Sequence, residues 1–353
     1  MNRALADRIV NAVLYEGYVL YPYRPSVKSR QRWTFGGLYP RAYCQAQMGA
    51  DAPSNQTACL VEGNRETALD VEVRFLHLTE RVVGVVVPPL ANWPEGEEPS
   101  FRPVETLRLG DREFHTWQEA KERSIELSGL LLGNIVEQPC RRHFDLPGRR
   151  WSEALRDSND RIAGVLVREQ QAIAGTIETE ALAVAVGLFE VHVRVTNETP
   201  LEDALRSNRD AALLRSLVST HTILGVRQGE FVSLLDPPEQ WRAAAGACRN
   251  VGTWPVLVGE EDVRDTLLSS PIILYDYPQV ASESPGDLSD ATEIDEILTL
   301  RILTLTDEEK RSAAALDGRA RDLLARTEAL AREQRAGLHG TVRSLRPIAG
   351  GEP

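Results

Sequence analysis

Residues 69–75 read LDVEVRF. Leu69, Val71, Val73 and Phe75 alternate with Asp70, Glu72 and Arg74, the two-residue period of a strand that buries one face. ERVVGVVV at 80–87 reads as its antiparallel neighbour. The same alternation returns at 189–195, where Phe189, Val191, Val193 and Val195 face away from Glu190, His192 and Arg194. Several strands are expected between 164 and 200, and short ones at FVSLL, WPVLV and ILTLRILTL (297–305). TLRLGDREFHTW resembles a hairpin, and PPLANWPEGEEPSFRP, with five prolines, reads as loop.

Helices are predicted in five other places. The N-terminus carries Leu5, Ile9 and Val13 on one stripe and stops near Gly17. Thr116-Trp117-Gln118-Glu119 has the form of a capping box that opens a helix through Leu127. Two more helices are expected at 202–218 and 238–249. A second capping box, Thr306-Asp307-Glu308-Glu309, starts a long helix striped by Leu316, Leu323 and Leu330. Strands and helices come in runs and do not alternate strictly. The expected class is therefore α+β, with antiparallel, sandwich-like β-rich regions, flanking helices and a long C-terminal helix.

A chain of 353 residues suggests more than one core. The expected units are 1–150, a Tyr/Arg-rich segment with a β-rich domain, and 151–305, a second β-rich domain with an acidic loop. A helical arm at 306–340 and a tail at 341–353 follow. No apolar run reaches the roughly 18 residues that span a bilayer, and the N-terminus has no signal-peptide core. A cytoplasmic protein without membrane insertion is expected. Cys44, Cys59, Cys140 and Cys248 form no CxxC pair and read as buried thiols.

The net charge of −12 is confined: residues 259–309 hold fourteen Asp/Glu against two Arg, and the rest of the chain balances. Such a surface disfavours nucleic acid and favours a basic protein partner or a basic patch on the same chain. Residues 15–43 supply such a patch, with six of the eight tyrosines beside Arg24, Lys28, Arg30, Arg32 and Arg41.

No phosphate loop, nucleophile elbow or HExxH motif is present. Cys140 and His143 are the nearest approach to a metal pair, but two further ligands are missing and Arg141 and Arg142 would repel a cation. His221 reads as a hydrogen-bonded structural histidine. Glu283, Asp287 and Asp290 lack the geometry of a calcium loop and read as solvated. Asn197-Glu198-Thr199 matches a glycosylation sequon that a cytoplasmic protein would not use. No cofactor is expected.

Three stretches, LYEGYVLYPYRPSVKSRQRWTFGGLYP (14–40), SLVSTHTILGVRQGEFVSLLDPP (216–238) and the segment 269–311, resemble an uncharacterised family encoded beside actinobacterial-type nickel–iron hydrogenases. The resemblance implies an accessory role in hydrogenase assembly or cofactor insertion and supplies no catalytic residues. The reading is a non-catalytic accessory protein whose partner is a hydrogenase subunit or a maturation factor. Tyr275, Asp276, Tyr277, Glu283, Asp287 and Asp290 would form its docking element, with Tyr21, Tyr23, Arg24 and Trp33 as an aromatic and basic contact surface. Two alternatives stand beside it. One is a thiol- or metal-dependent hydrolase using Cys140 with His143, or Cys44; the other is a structural protein whose charged segments pair only with each other.

Overall fold

The computed structural model describes residues 3–14, 35–49, 51–93, 97–260 and 263–278. The expected strand at 297–305, the helical arm at 306–340 and the tail at 341–353 lie outside the described residues. The elements are α1 (Arg3–Val13), α2 (Arg41–Gln47), β1 (Ser54–Leu90), β2 (Arg102–Val104), β3 (Thr106–Leu109), β4 (Arg112–His115), β5 (Trp117–Leu131), α3 (Leu132–Glu137), β6 (Cys140–Leu146), β7 (Arg149–Arg156), β8 (Ile162–Gln170), β9 (Ile173–Ala185), β10 (Leu188–Asn197), α4 (Arg209–Leu213), β11 (Val218–Val232), α5 (Arg242–Ala247), β12 (Trp254–Leu257) and β13 (Thr266–Ser270). Most of this is antiparallel β-structure with short helices. Among the described residues no helix is long and apolar enough to cross a membrane.

β1 organises everything else. It runs 37 residues and lies in an 11-stranded sheet with the path β12-β13-β11-β1-β10-β9-β6. Its first third pairs with β10 and its middle with β11 and β5. Its end pairs with β8 and β2, while β7 joins through β8. One sheet thus holds strands from both sides of residue 150. The separate β3–β4 pair is the hairpin expected at 106–115.

The predicted hairpin between 69–75 and 80–87 does not exist, because both stretches belong to β1. The link Leu76-His77-Leu78-Thr79 contains no glycine, proline, asparagine or aspartate to turn the chain. What changes there is the phase of the pattern. Leu69, Val71, Val73 and Phe75 face the main core, and the same face continues with His77, Thr79 and Arg81. The opposite face begins with Asp70, Glu72 and Arg74 and turns apolar at Leu76 and Leu78. The strand passes from one core to a second on its other side.

α1 covers that second core. Ala6, Ile9, Val10 and Leu14 are buried with Leu76, Leu78, Tyr39 and Tyr43. Arg74, just before the phase change, reaches Asp7 of α1 and holds Glu72 through Nε at 2.6 Å. Each fully buried leucine here contributes about 1.5–3 kcal/mol. The main core closes because the sheet curls far enough for Phe144 of β6 to meet Phe75 of β1, ring centroids 6.1 Å apart.

Two expected helices are corrected. Residues 117–131 are strand, paired with β1 from Arg81 back to Ala68. Thr116 does not cap a helix: its hydroxyl donates to Val104 O at 2.7 Å and accepts from Val83 N–H at 3.0 Å, fastening the corner that leads into β5. Pairing along β1 overrides the local capping signal. The helix expected over 202–218 shrinks to α4, capped by Asn208, whose Oδ1 accepts from Ala211 N–H at 2.8 Å.

Candidate functional site

The segment after β13 is built by alternation. Leu274 is buried in the α1 cluster, whereas Ile273 (70% exposed) and Tyr275 (84%) point to solvent. Asp276 turns inward. Its Oδ1 accepts from the Leu257 amide at 2.8 Å and its Oδ2 accepts from the Ser233 hydroxyl. The same Ser233 oxygen accepts from the amides of Leu235 and Asp236, at 3.1 and 2.9 Å. The Leu235 turn is thereby tied beside the Tyr275 segment, and Leu235 is exposed. Tyr277 takes a left-handed conformation, φ +56°, donates its amide to Leu257 O at 2.7 Å and packs its ring against the main core. Tyr275 is therefore a solvent-facing aromatic held between a buried leucine and two anchored residues.

The docking element predicted around Tyr275, Asp276 and Tyr277 divides in two. Only Tyr275 presents itself; Asp276 and Tyr277 serve the fold. Ser233 and Leu257, which fix the segment, and Ile273 and Leu235, which enlarge the exposed patch, carry no local motif that would single them out. Glu283, Asp287, Asp290, Tyr21, Tyr23, Arg24 and Trp33 lie outside the described residues. The Tyr-rich stretch does pack on the fold at its end: Tyr39 and Tyr43 are buried with centroids 5.7 Å apart, and the Arg209 guanidinium lies 5.5 Å from the centre of the Tyr39 ring. Gly36, at φ +55°, sits so close to Pro271 that a Cβ would lie 2.4 Å from the proline Cβ. The aromatic stretch and the start of the acidic segment touch there.

The hydrolase alternatives meet a geometric obstacle. Cys140 and His143 are three apart on β6, so the two-residue period sends them to opposite faces of the sheet. Cys140 packs against the main core, while the His143 imidazole lies outside, 3.0 Å from the Thr176 hydroxyl and 3.7 Å from Glu198. Cys44 points its thiol at Tyr39 O, 3.9 Å away, and burial with Asp51 nearby pushes its pKa up. Burial also raises Cys59, and burial with Glu190 beside it pushes Cys248 up to about 12. Raised thiols are poor nucleophiles and poor ligands at neutral pH. Among the described residues no group of three or more His, Cys, Asp or Glu could hold a metal ion.

His221 is fully buried, and its Nδ1–H donates to Ser219 O at 2.9 Å, in keeping with a structural role. Asn197 of the sequon is fully buried too. Its amide donates to Leu38 O at 2.8 Å and Arg215 O at 2.9 Å, and its Oδ1 accepts from Thr199 N–H. That side chain stitches β10 to two loops and offers no surface for a glycan. The chain matches none of the family models, curated proteins or solved structures with which it was compared.

Proposed function

We propose that this is a non-catalytic accessory protein of the cytoplasm that works by binding a partner protein, and that the partner is a hydrogenase subunit or a maturation factor. The binding half of this reading rests on one observation: Tyr275 is 84% exposed yet held by anchored neighbours. With its backbone position set by those neighbours, contact has only the two side-chain torsions of the tyrosine left to order, a small entropy cost for a large aromatic anchor. Ile273 and Leu235 add apolar area beside it, and the carboxylates of 259–309 supply steering toward a basic surface. The choice of partner rests on the resemblance of the three stretches alone.

The test is direct titration of the full chain with purified nickel–iron hydrogenase subunits and with each maturation factor, at low and at physiological salt. Binding to one of them that weakens as salt rises is expected. Absence of binding to every one removes the hydrogenase assignment, and binding unaffected by salt removes the electrostatic docking segment.

A further inference from the structure

Beyond Phe75, the face of β1 that lines the main core turns polar, and β5, β8 and β7 extend that polar field sideways. Register sets its side chains in cross-strand rows. Lys121 stands opposite His77, Glu119 opposite Thr79, and Trp117 opposite Arg81. Arg81 in turn stands opposite Arg168, and Arg168 opposite Trp151. Gln170 stands opposite Arg149 and donates to the Thr79 hydroxyl at 2.9 Å. The field is bounded at one end by Phe75 and Phe144. At the other it meets Val83 and Leu166, which pack with Leu107 and Phe114 of the β3–β4 hairpin.

The cations of this field are not equally matched. Like charges directly opposite, as Arg81 and Arg168 are, repel. Glu119 settles that pair, accepting from Arg81 Nη1 at 3.0 Å and from Arg168 Nε at 2.9 Å, and Glu153 accepts from Arg168 Nη1 at 3.2 Å. Among the described residues, no carboxylate pairs with Lys121, Arg123 or Arg149. Arg123 is half-buried and donates to a neutral group, the Gln170 side-chain oxygen, at 2.9 Å, while its buried Nε–H has no acceptor. Arg149 lies over the Trp151 ring, 5.2 Å from its centre, and Lys121 is exposed. A half-buried guanidinium with a spare donor calls for an acceptor that the chain itself does not supply.

We propose that Lys121, Arg123 and Arg149, with the Gln170 side chain between them, bind a phosphate group, either free or carried by a small molecule. Arg123 reaches from β5 across β1 to Gln170, whose direct cross-strand neighbour is Arg149, so the three cations border one part of the face. A guanidinium presents paired donors that match phosphate oxygens, and a lysine beside it adds a point charge. The carboxylate in the adjoining row, Glu119, is already neutralised by two arginines and does not oppose an anion. The boundaries at Phe144 and at the β3–β4 hairpin suit a small molecule. The site is separate from the Tyr275 patch and does not depend on its role.

Calorimetric titration of the full chain with inorganic phosphate at low ionic strength should show one-to-one binding. Arg123→Gln and Lys121→Gln should each weaken it about fivefold or more, whereas Arg194→Gln, on the opposite face of the sheet, should not. Lys121 is exposed, so its variant reports on the site even if Arg123→Gln disturbs the fold. Phosphate should also move the imidazole NMR signals of His77, opposite Lys121, and leave those of His143, on the outer face of β6, in place. Glycerol 3-phosphate binding more tightly than inorganic phosphate assigns the site to a phosphorylated small molecule, and the reverse order assigns it to the free ion. No binding, binding that either variant leaves unchanged, or equal weakening by Arg194→Gln overturns the proposal.

Discussion

Tyr275 and Tyr277 stand two positions apart and have opposite roles, because a left-handed residue at 277 turns its ring back under Leu257 while 275 stays outside. Composition could show the pair of aromatics, but not which one the backbone would turn inward. Replacing Tyr275 with Ala should lower partner affinity by about 30-fold, the equivalent of ~2 kcal/mol for an anchor residue, without moving the melting midpoint. Tyr277→Ala should do the reverse, costing on the order of 2 kcal/mol of stability for a partly buried aromatic and sparing the affinity of the folded fraction. Melting curves and binding isotherms on the two single variants check both outcomes, and a Tyr275 variant that melts early would count against the docking role.

At the level of elements, β1 shows what sequence could and could not disclose. The alternation at 69–75 and at 189–195 gave two strands and their buried faces correctly, since a two-residue period leaves a direct mark. The continuity through 75–80 was hidden because the apolar phase changes faces at Phe75 and Leu76, which on the page resembles the end of one strand and the start of another. β5 was hidden for a different reason: its capping signal is local, whereas its strand partner lies 36 or more residues away, from Arg81 back to Ala68. The candidate site was less legible still, as Ser233, Leu257 and Asp276 meet only after β11, β12 and the last segment are in place. The phase change also identifies a sensitive contact. Arg74 sits between buried Glu72 and Asp7, so Arg74→Met should take the cation from the Glu72 carboxylate, which keeps the Ser124 hydroxyl as a donor, and cost about 3 kcal/mol at neutral pH, with Asp7→Asn costing about 1 kcal/mol. Urea titrations measure both, and equal costs would show that the pair with α1 outweighs the one within β1.

Across the whole molecule the buried polar groups tie stability to pH. His221 lies opposite Arg74 in the sheet, and His77 lies opposite Lys121 with Arg123 nearby. Burial, with these cations adding to it, lowers both imidazoles to about 4 and keeps them neutral in the fold. An unfolded histidine takes its proton near pH 6.5. Between those values the unfolded chain binds protons that the folded chain refuses. The stabilisation is complete above about pH 6.5, falls as pH drops, and is lost by about pH 4. Each histidine should contribute a slope of about 1 kcal/mol per pH unit between roughly pH 5 and 6. Carboxylates also titrate toward the acid end, so the total slope alone does not isolate the effect. The variants His77→Gln and His221→Gln do, because each removes one imidazole while leaving the carboxylates in place. Urea stability measured at several pH values should fall less steeply on acidification for either variant than for the natural chain, by about 1 kcal/mol per pH unit. Parallel profiles would mean that these imidazoles accept protons inside the fold, and the acid sensitivity would then belong to carboxylate pairs such as Asp7 with Arg74.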